Sequence, residues 1–455
     1  MRSLILAFEL LVLAVGVPHS QAQSVTDLKV FRGLSPVTAL GKSDPGRSAL
    51  RANYRLTGDI ETGNSVQPTL LPFAAQEQQA LRDAFITSRN LVELADGLGT
   101  TLGAAYVAKF HYIDHNRVSQ MPPAFEKLVN YAVTITLNHA NTAKFFFANE
   151  TQSPDGAAVS TEAKAIFDSI GGTPDIFGVS YGLPAGSVLG DKYGNARPFL
   201  TEHTLHRFSG PDYFNLPSDN IVYNFGPAMP LVDSPSYPSG HTTYGYAGAI
   251  ILGLLVPERY SQMITRGAEY GNNRILMGSH YIMDVMGGRA LALYDMAHLL
   301  ANDKLYMNVP MDGASTISDF RATLVEARNE LADVLSQNCG DSVRACAGQD
   351  MSRFNNEQAN SVFYESTQTY GLPIANPKVS SSRVDVGKVA PEAGYLLTVA
   401  FPSLSLAEAD RILTDSEGPG GGFLDDGSDP SFAVYARIDL YASCLQAASI
   451  LAGKK

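Results

Sequence analysis

From residue 242 to residue 301 the chain reads as three helices in close succession, and this stretch decides the fold class. An apolar helical run begins at Thr242 and continues to Val256. Pro257 and Glu258 open a second helix, because proline is tolerated and an acid favoured in a first turn. That helix continues towards Asn273, and a third spans about Tyr281 to Ala301. Helical spacing also runs over residues 72–109, through Leu81, Phe85, Leu91, Leu94 and Leu98, and over residues 124–147. Alternating strand patterns are scarce. The expected class is mainly α, a helical-bundle core with loop-rich N- and C-terminal extensions.

The 455 residues are 45% hydrophobic and 17% charged, enough apolar material for one large domain or two ordinary ones. A formal net charge of −12 argues against nucleic acid and anionic membranes as partners. An anionic substrate must therefore be drawn in by a local cluster of cations. Arg2, the apolar run from Leu4 to Val17 and the small-x-small triplet Ser20-Gln21-Ala22 read as a cleaved secretory signal over 1–22, with Glu9 a blemish. The run is short for a bilayer span. A secreted or periplasmic location is expected, with no membrane insertion once the signal is removed. Cys339 and Cys346 can pair in an oxidising compartment. Zinc ligation is the weaker reading of the two, and Cys444 is left over.

Residues 23–67 are rich in Gly, Ser, Thr and Pro and read as an extended or loop-rich opening segment. Residues 197–238 read as a long loop of the kind that usually has a functional reason to exist. The tail carries a helix over about 317–336 and a capping-box pattern at Ser405–Glu408. Gly418-Pro419-Gly420 lacks the Gly-Lys-Ser/Thr of a phosphate loop. Asp425-Asp426-Gly427 lacks the acid spacing of a calcium loop.

Three short stretches carry chemistry: Arg197-Pro198-Phe199, then Ser236 to Thr242 (SYPSGHT), then Arg274 to Asp284 (RILMGSHYIMD). Ser239 is a good N-cap for the helix that follows, and the first helical amides lack internal partners. They form an anion site at a positive helix end. Gly240 lets an oxyanion approach the backbone, and His241 stands at its edge, able to give or take a proton. His280 and Asp284, four apart, share a helical face. The carboxylate can fix the imidazole's tautomer, leaving a nitrogen that can attack phosphorus. Arg274, six before His280, falls on another face of an unbroken helix, and Gly278 offers the break that brings both to one site.

In this order the three motifs resemble the phosphatidic acid phosphatase type 2 superfamily, which includes the class A non-specific acid phosphatases of bacteria and the vanadium haloperoxidases. The resemblance is closer to the acid phosphatases, through SYPSGHT and the run 257–289, and covers about residues 130–300. It implies a core of acid phosphatase/haloperoxidase type over 126–301, with an N-terminal extension over 23–125 and a C-terminal one over 302–455 packing on or near it. It further implies that Arg197, Ser239, Gly240 and Arg274 hold phosphate oxygens. His280 would be the nucleophile oriented by Asp284, and His241 the proton donor to the leaving alcohol. The family has a lysine seven residues before the first arginine, where this chain has Gly190. Lys192 is the candidate phosphate ligand in its place. Asn273 stands where a serine is usual.

The expected activity is metal-independent hydrolysis of phosphate monoesters, with a small-molecule phosphate ester as partner and no resident cofactor. Vanadate would inhibit, or would be the cofactor if the chain is instead a haloperoxidase. A lipid phosphatase and a degenerate anion-binding relative are the other readings. His111, Asp114 and His115 could hold a metal, though a solvated helix face explains them better. His203 and His206 are either substrate-entrance or plain loop residues.

Overall fold

Serines set how the chain begins. Ser24 caps helix α1 (Val25–Leu34): its hydroxyl accepts the Asp27 amide, and the Asp27 carboxylate accepts the Ser24 amide. Ser43 caps α2 (Asp44–Glu61), with Pro45 in the first turn, and a 3-10 stretch (Ser35–Lys42) lies between the two. The computed structural model describes residues 23–64, 69–84, 90–114, 117–152, 156–170, 195–201, 205–225, 231–232, 234–311 and 315–453, and the expected leader lies outside them. Within 23–61 the structure corrects the loop-rich reading. The Ser and Pro residues taken as loop formers stand at helix starts, where capping makes them favourable.

The helical pattern over 72–109 also resolves differently. It divides into α3 (Phe73–Asp83), a 3-10 stretch (Val92–Leu98) and α4 (Thr100–Lys109). Leu91 and Gly99 have φ of 62° and 95°, which ends helical continuity. Polar demand explains the division. Asp83, Asp96 and the Glu93 carbonyl all turn onto the buried guanidinium of Arg266, and one straight helix could not present all three.

A short hairpin, β1 (Tyr112–Asp114) and β2 (Arg117–Val118), precedes the long helix α5 (Pro123–Asn149), and α6 (Thr161–Ile170) follows. The first amides of α5, on Ala124 and Phe125, donate to Glu330. Over residues 197–238 the described chain is mostly irregular. It holds only α7 (Pro198–Thr201), a second hairpin of β3 (Ser209–Pro211) and β4 (Pro217–Asp219), and α8 (Asn220–Phe225).

The centre is built by α9 (Gly240–Leu255), α10 (Tyr260–Leu276) and α11 (Ile282–Leu300), with α5 against α9 and α11. Every residue of α9 and of α11 is buried, as expected of helices apolar on all sides. Each fully buried Ile or Leu there contributes about 1.5–3 kcal/mol. His139 of α5 meets Asp295 of α11 at 3.0 Å, and Tyr306 donates to the same carboxylate, which fixes α5 against α11.

The tail holds α12 (Phe320–Cys339), which packs on α4 and α5, then α13 (Val343–Ala347), α14 (Glu357–Thr367), α15 (Val386–Val389), α16 (Tyr395–Thr398), α17 (Leu406–Asp415), α18 (Pro430–Arg437) and α19 (Leu440–Gly453). Arg289 of α11 donates to the carbonyls of Thr367 and Ala436, so the tail is tied to the central helices. One apolar cluster runs from Val30 to Ala447, and a smaller one joins Ala80, Leu81 and Ala84 to Phe208, Leu276 and Met277. Cys339 and Cys346 are disulfide-bonded, and Cys444 is a buried thiol. Among the described residues no helix is long and apolar enough to cross a membrane.

Candidate active site

Ser239 is the N-cap of α9. Its hydroxyl accepts the Thr242 amide at 3.0 Å, and its own amide donates to the Asp284 carbonyl at 3.0 Å. The second motif is thereby bonded to the third. The amides of Gly240 and His241 are the helix-end donors for which a helix supplies no acceptor. Tyr237 is packing: its hydroxyl donates to the Leu34 carbonyl and its ring meets Phe147 edge-on.

The third motif turns at Gly278. Its φ of 71° closes α10, and Ser279 N donates back to the Arg274 carbonyl. This turn places Arg274, at the end of α10, and His280, just before α11, at one site. Asp284 in the first turn of α11 accepts the Tyr281 amide at 2.8 Å, so the carboxylate caps the helix while facing His280.

The two imidazoles meet. His241 Nδ1 lies 2.9 Å from His280 Nε2, and Arg197 Nη1 lies 3.0 Å from the same nitrogen. A guanidinium can only donate, so His280 Nε2 is the acceptor and carries the lone pair. The ring proton then sits on Nδ1, 3.4 Å from Asp284 Oδ2 and 3.3 Å from Ser236 Oγ. Ser236 also donates to that carboxylate oxygen.

Arg197 has its five donors engaged, on the carbonyls of Ser234, Pro235 and Ser279, the Ser234 hydroxyl and His280. Arg274 is buried, with its guanidinium 5.2 Å from the Tyr270 ring centre and one donation to the Ala80 carbonyl. Its Nε has no hydrogen-bond partner among the described residues. Asn273 donates to Asp83. Lys192 and Gly190 lie outside the described residues, as do His115 and His203. Asp114 pairs with Arg117 and His206 with Glu77. Among the described residues no three His, Cys, Asp or Glu side chains converge as a metal cradle.

Three participants escaped the sequence reading. Asn195 clamps the second motif: its side chain receives the Tyr237 amide and donates to the Tyr237 carbonyl. Ser236 lies inside that motif, but only its reach to Asp284 gives it a task. Lys144, on α5, is buried and carries its ammonium to Gly240: a Cβ built there would stand 3.0 Å from Nζ. The signal was a lysine set among Ala140, Ala143 and Phe147 on the buried face of a helix.

The electrostatics follow from burial. Burial, then the charges of Arg274, Arg197 and Lys144, hold His241 well below the ordinary imidazole value. His280 is held down in the same way by burial, Arg197, His241, Lys144 and Arg274. Burial pushes Asp284 up to about 7, against its hydrogen bonds from Ser236 and Tyr281. Two imidazoles whose protonated forms are disfavoured thus stand in a field of cations, an arrangement that favours an oxyanion.

The site is a buried set of two histidines, two arginines and a helix N-terminus on a mainly α frame. Residues 176–301 match the PAP2 superfamily, and the chain carries that region. The non-specific acid phosphatase of Salmonella typhimurium is 31% identical over 130 residues, 28% of this chain and 46% of that protein. The acid phosphatase of Zymomonas mobilis is 35% identical over 96 residues, 21% and 31% of the two chains. The non-specific acid phosphatase of Providencia stuartii is 40% identical over 72 residues, 16% and 29%. The matched stretch spans less than half the length of each of these relatives.

Proposed function

We propose that this protein is a secreted or periplasmic phosphatase that hydrolyses small phosphate monoesters through a phospho-histidine intermediate, without a resident metal. The observation that carries the reading is His280 Nε2, a lone pair held by Asp284 and met by both Arg197 and His241. Similarity to proteins named acid phosphatases supports it, and the leader pattern over 1–22 supports the location.

Phosphate oxygens bind to Arg197, Arg274, the Ser239 hydroxyl and the Gly240 amide, taking the place of the Arg197–His280 contact. Nε2 of His280 attacks phosphorus and the P–O bond to the alcohol breaks, while His241 gives that oxygen a proton. Water then forms the new P–O bond and its proton passes to His241. The Nε2–P bond breaks, and phosphate leaves. Preorganised cations and amides supply the charge stabilisation that phosphoryl transfer requires.

Proton linkage follows with a definite sign. Both imidazoles are held well below their ordinary values by burial and the neighbouring cations. An anion among the cations cancels the field that depresses them and raises their affinity for protons. Binding of sulfate, which does not titrate in this range, is expected to be accompanied by proton uptake at pH 5.5. Calorimetry in two buffers of different ionisation enthalpy measures this, and a buffer-independent heat contradicts it. A monoester loses its own second proton near pH ~6, so turnover is expected to decline above neutrality.

The function is tested with the purified protein, a chromogenic phosphate monoester and excess chelator. Hydrolysis that persists with chelator and is inhibited by vanadate supports the reading. Loss of hydrolysis on chelation overturns the metal-independent mechanism. Bromide oxidation with vanadate and peroxide, without ester hydrolysis, overturns the phosphatase.

A further inference from the structure

We propose that the cavity beside the 3-10 stretch Val92–Leu98 is a second ligand site, which binds a small primary ammonium through the carboxylate of Glu93. None of its described lining residues belongs to the histidine site, so the proposal does not depend on the phosphatase reading.

The cavity, of about 520 Å³, lies between α3, the 3-10 stretch and α4, with Tyr213 and Arg353 also on its wall. Glu93 lines it and is only 6% exposed. Tyr112 donates to Oε2 of Glu93, while Oε1 has no hydrogen-bond partner. A buried carboxyl oxygen left in that state is costly.

The neighbouring arginines do not relieve it. Arg266 gives its fork to Asp83 and Asp96, and to the main-chain carbonyl of Glu93 instead of its carboxyl. Arg353 is engaged by Asp96 and Glu269. Arg82 stands 5.8 Å from the centre of the Tyr213 ring. Among the described residues, Glu93 is thus the acid of this group without a guanidinium partner. Burial outweighs the Tyr112 hydrogen bond and pushes its carboxyl up to about 8, so a cation arriving at Oε1 restores the ionised form.

The surroundings select the kind of cation. Among the described residues no three His, Cys, Asp or Glu side chains converge, whereas a hard metal ion needs several oxygens at once. An ammonium is satisfied by one carboxylate and a few further acceptors. α4 adds Gly103, Ala104 and Val107, an apolar wall against which the carbon chain of an amine can lie. The cavity is also far larger than a bare ion requires and falls in the range of small-molecule sites.

Butylammonium is the probe, with butanol and butyrate as neutral and anionic counterparts of the same chain. Calorimetry at pH 8 follows binding to the purified protein and needs no turnover. The wild type is expected to bind butylammonium on the order of 10-fold or more tightly than either counterpart. Glu93→Gln keeps the shape of the side chain and removes its charge. It is expected to weaken butylammonium on the order of 10-fold, with a Tm equal to or above that of the wild type and with ester hydrolysis unchanged. Val107→Trp, at a position 39% exposed on the cavity wall, is expected to block binding by filling the space. Unchanged affinity in Glu93→Gln overturns the proposal, as does butanol bound as tightly as butylammonium. If Glu93→Gln does not fold, Val107→Trp decides, and wild-type affinity in that variant overturns the proposal. A wild type that does not bind butylammonium overturns it as well, whether or not the protein hydrolyses phosphate monoesters.

Discussion

His280→Ala is expected to lower kcat for a phosphate monoester on the order of 10⁴-fold or more, while phosphate inhibition changes only a few-fold. The asymmetry is the point. In the proposed mechanism Nε2 of His280 is the atom that forms the bond to phosphorus, the nitrogen that both Arg197 and His241 meet. His241 faces it at 2.9 Å but is assigned the proton. Oxyanion binding persists because Arg197, Arg274 and the amides of Gly240 and His241 remain. Removing the ring also releases Arg197 Nη1, which touches His280 Nε2. Steady-state kinetics with inorganic phosphate as competitive inhibitor separates the two quantities. Hydrolysis kept within ten-fold of wild type would remove His280 from the nucleophile's role.

Arg266→Met is expected to cost about 3–5 kcal/mol of folding stability, a large share of the total for a typical domain. Arg266 is fully buried and makes a bidentate pair with Asp83, at 2.6 and 3.0 Å. It also donates to Asp96 and to the Glu93 carbonyl. Arg353 bridges Asp96 and Glu269 alongside it. Burial would raise Asp96, yet Arg266 and Arg353 outweigh it and hold the carboxylate at about 2. Without Arg266 the Asp83 carboxylate stays buried beside Asn273 with no guanidinium partner. The loss reaches the site too, because Arg266 binds α3 to α10 together with Asn273 and Arg274. Urea unfolding measures it as a fall in midpoint at constant m. A change below about 1 kcal/mol would mean that the network is not needed for folding.

What the sequence made legible was whatever a few neighbouring residues determine. Ser239 as cap, Gly278 as the break and Asp284 four residues after His280 are local relations, and the structure brings Arg197, Ser239, Gly240, His241, Arg274, His280 and Asp284 to one place. The mainly α class was legible for the same reason, since three helical stretches follow one another over 242–301. Lys144 was not, because 96 positions separate it from Gly240 and only the packing of α5 on α9 joins them. Ser236 was read as part of a motif, but its bond to Asp284 depends on how the second motif packs on the first turn of α11. Residues 23–61 were misjudged because Ser and Pro signal loops and helix starts alike. The split of 72–109 is set by a guanidinium some 170 residues further on.

The central claim is a phosphate carried on His280, and trapping it is the most direct measurement. Enzyme mixed with a radiolabelled phosphate monoester is quenched in alkali within the first turnovers and digested. The account predicts a base-stable, acid-labile label on the peptide containing His280. The label is absent in His280→Ala and accumulates in His241→Ala, where water has lost its base. No label, an acid-stable label on a hydroxyl side chain, or a label that survives in His280→Ala would contradict it.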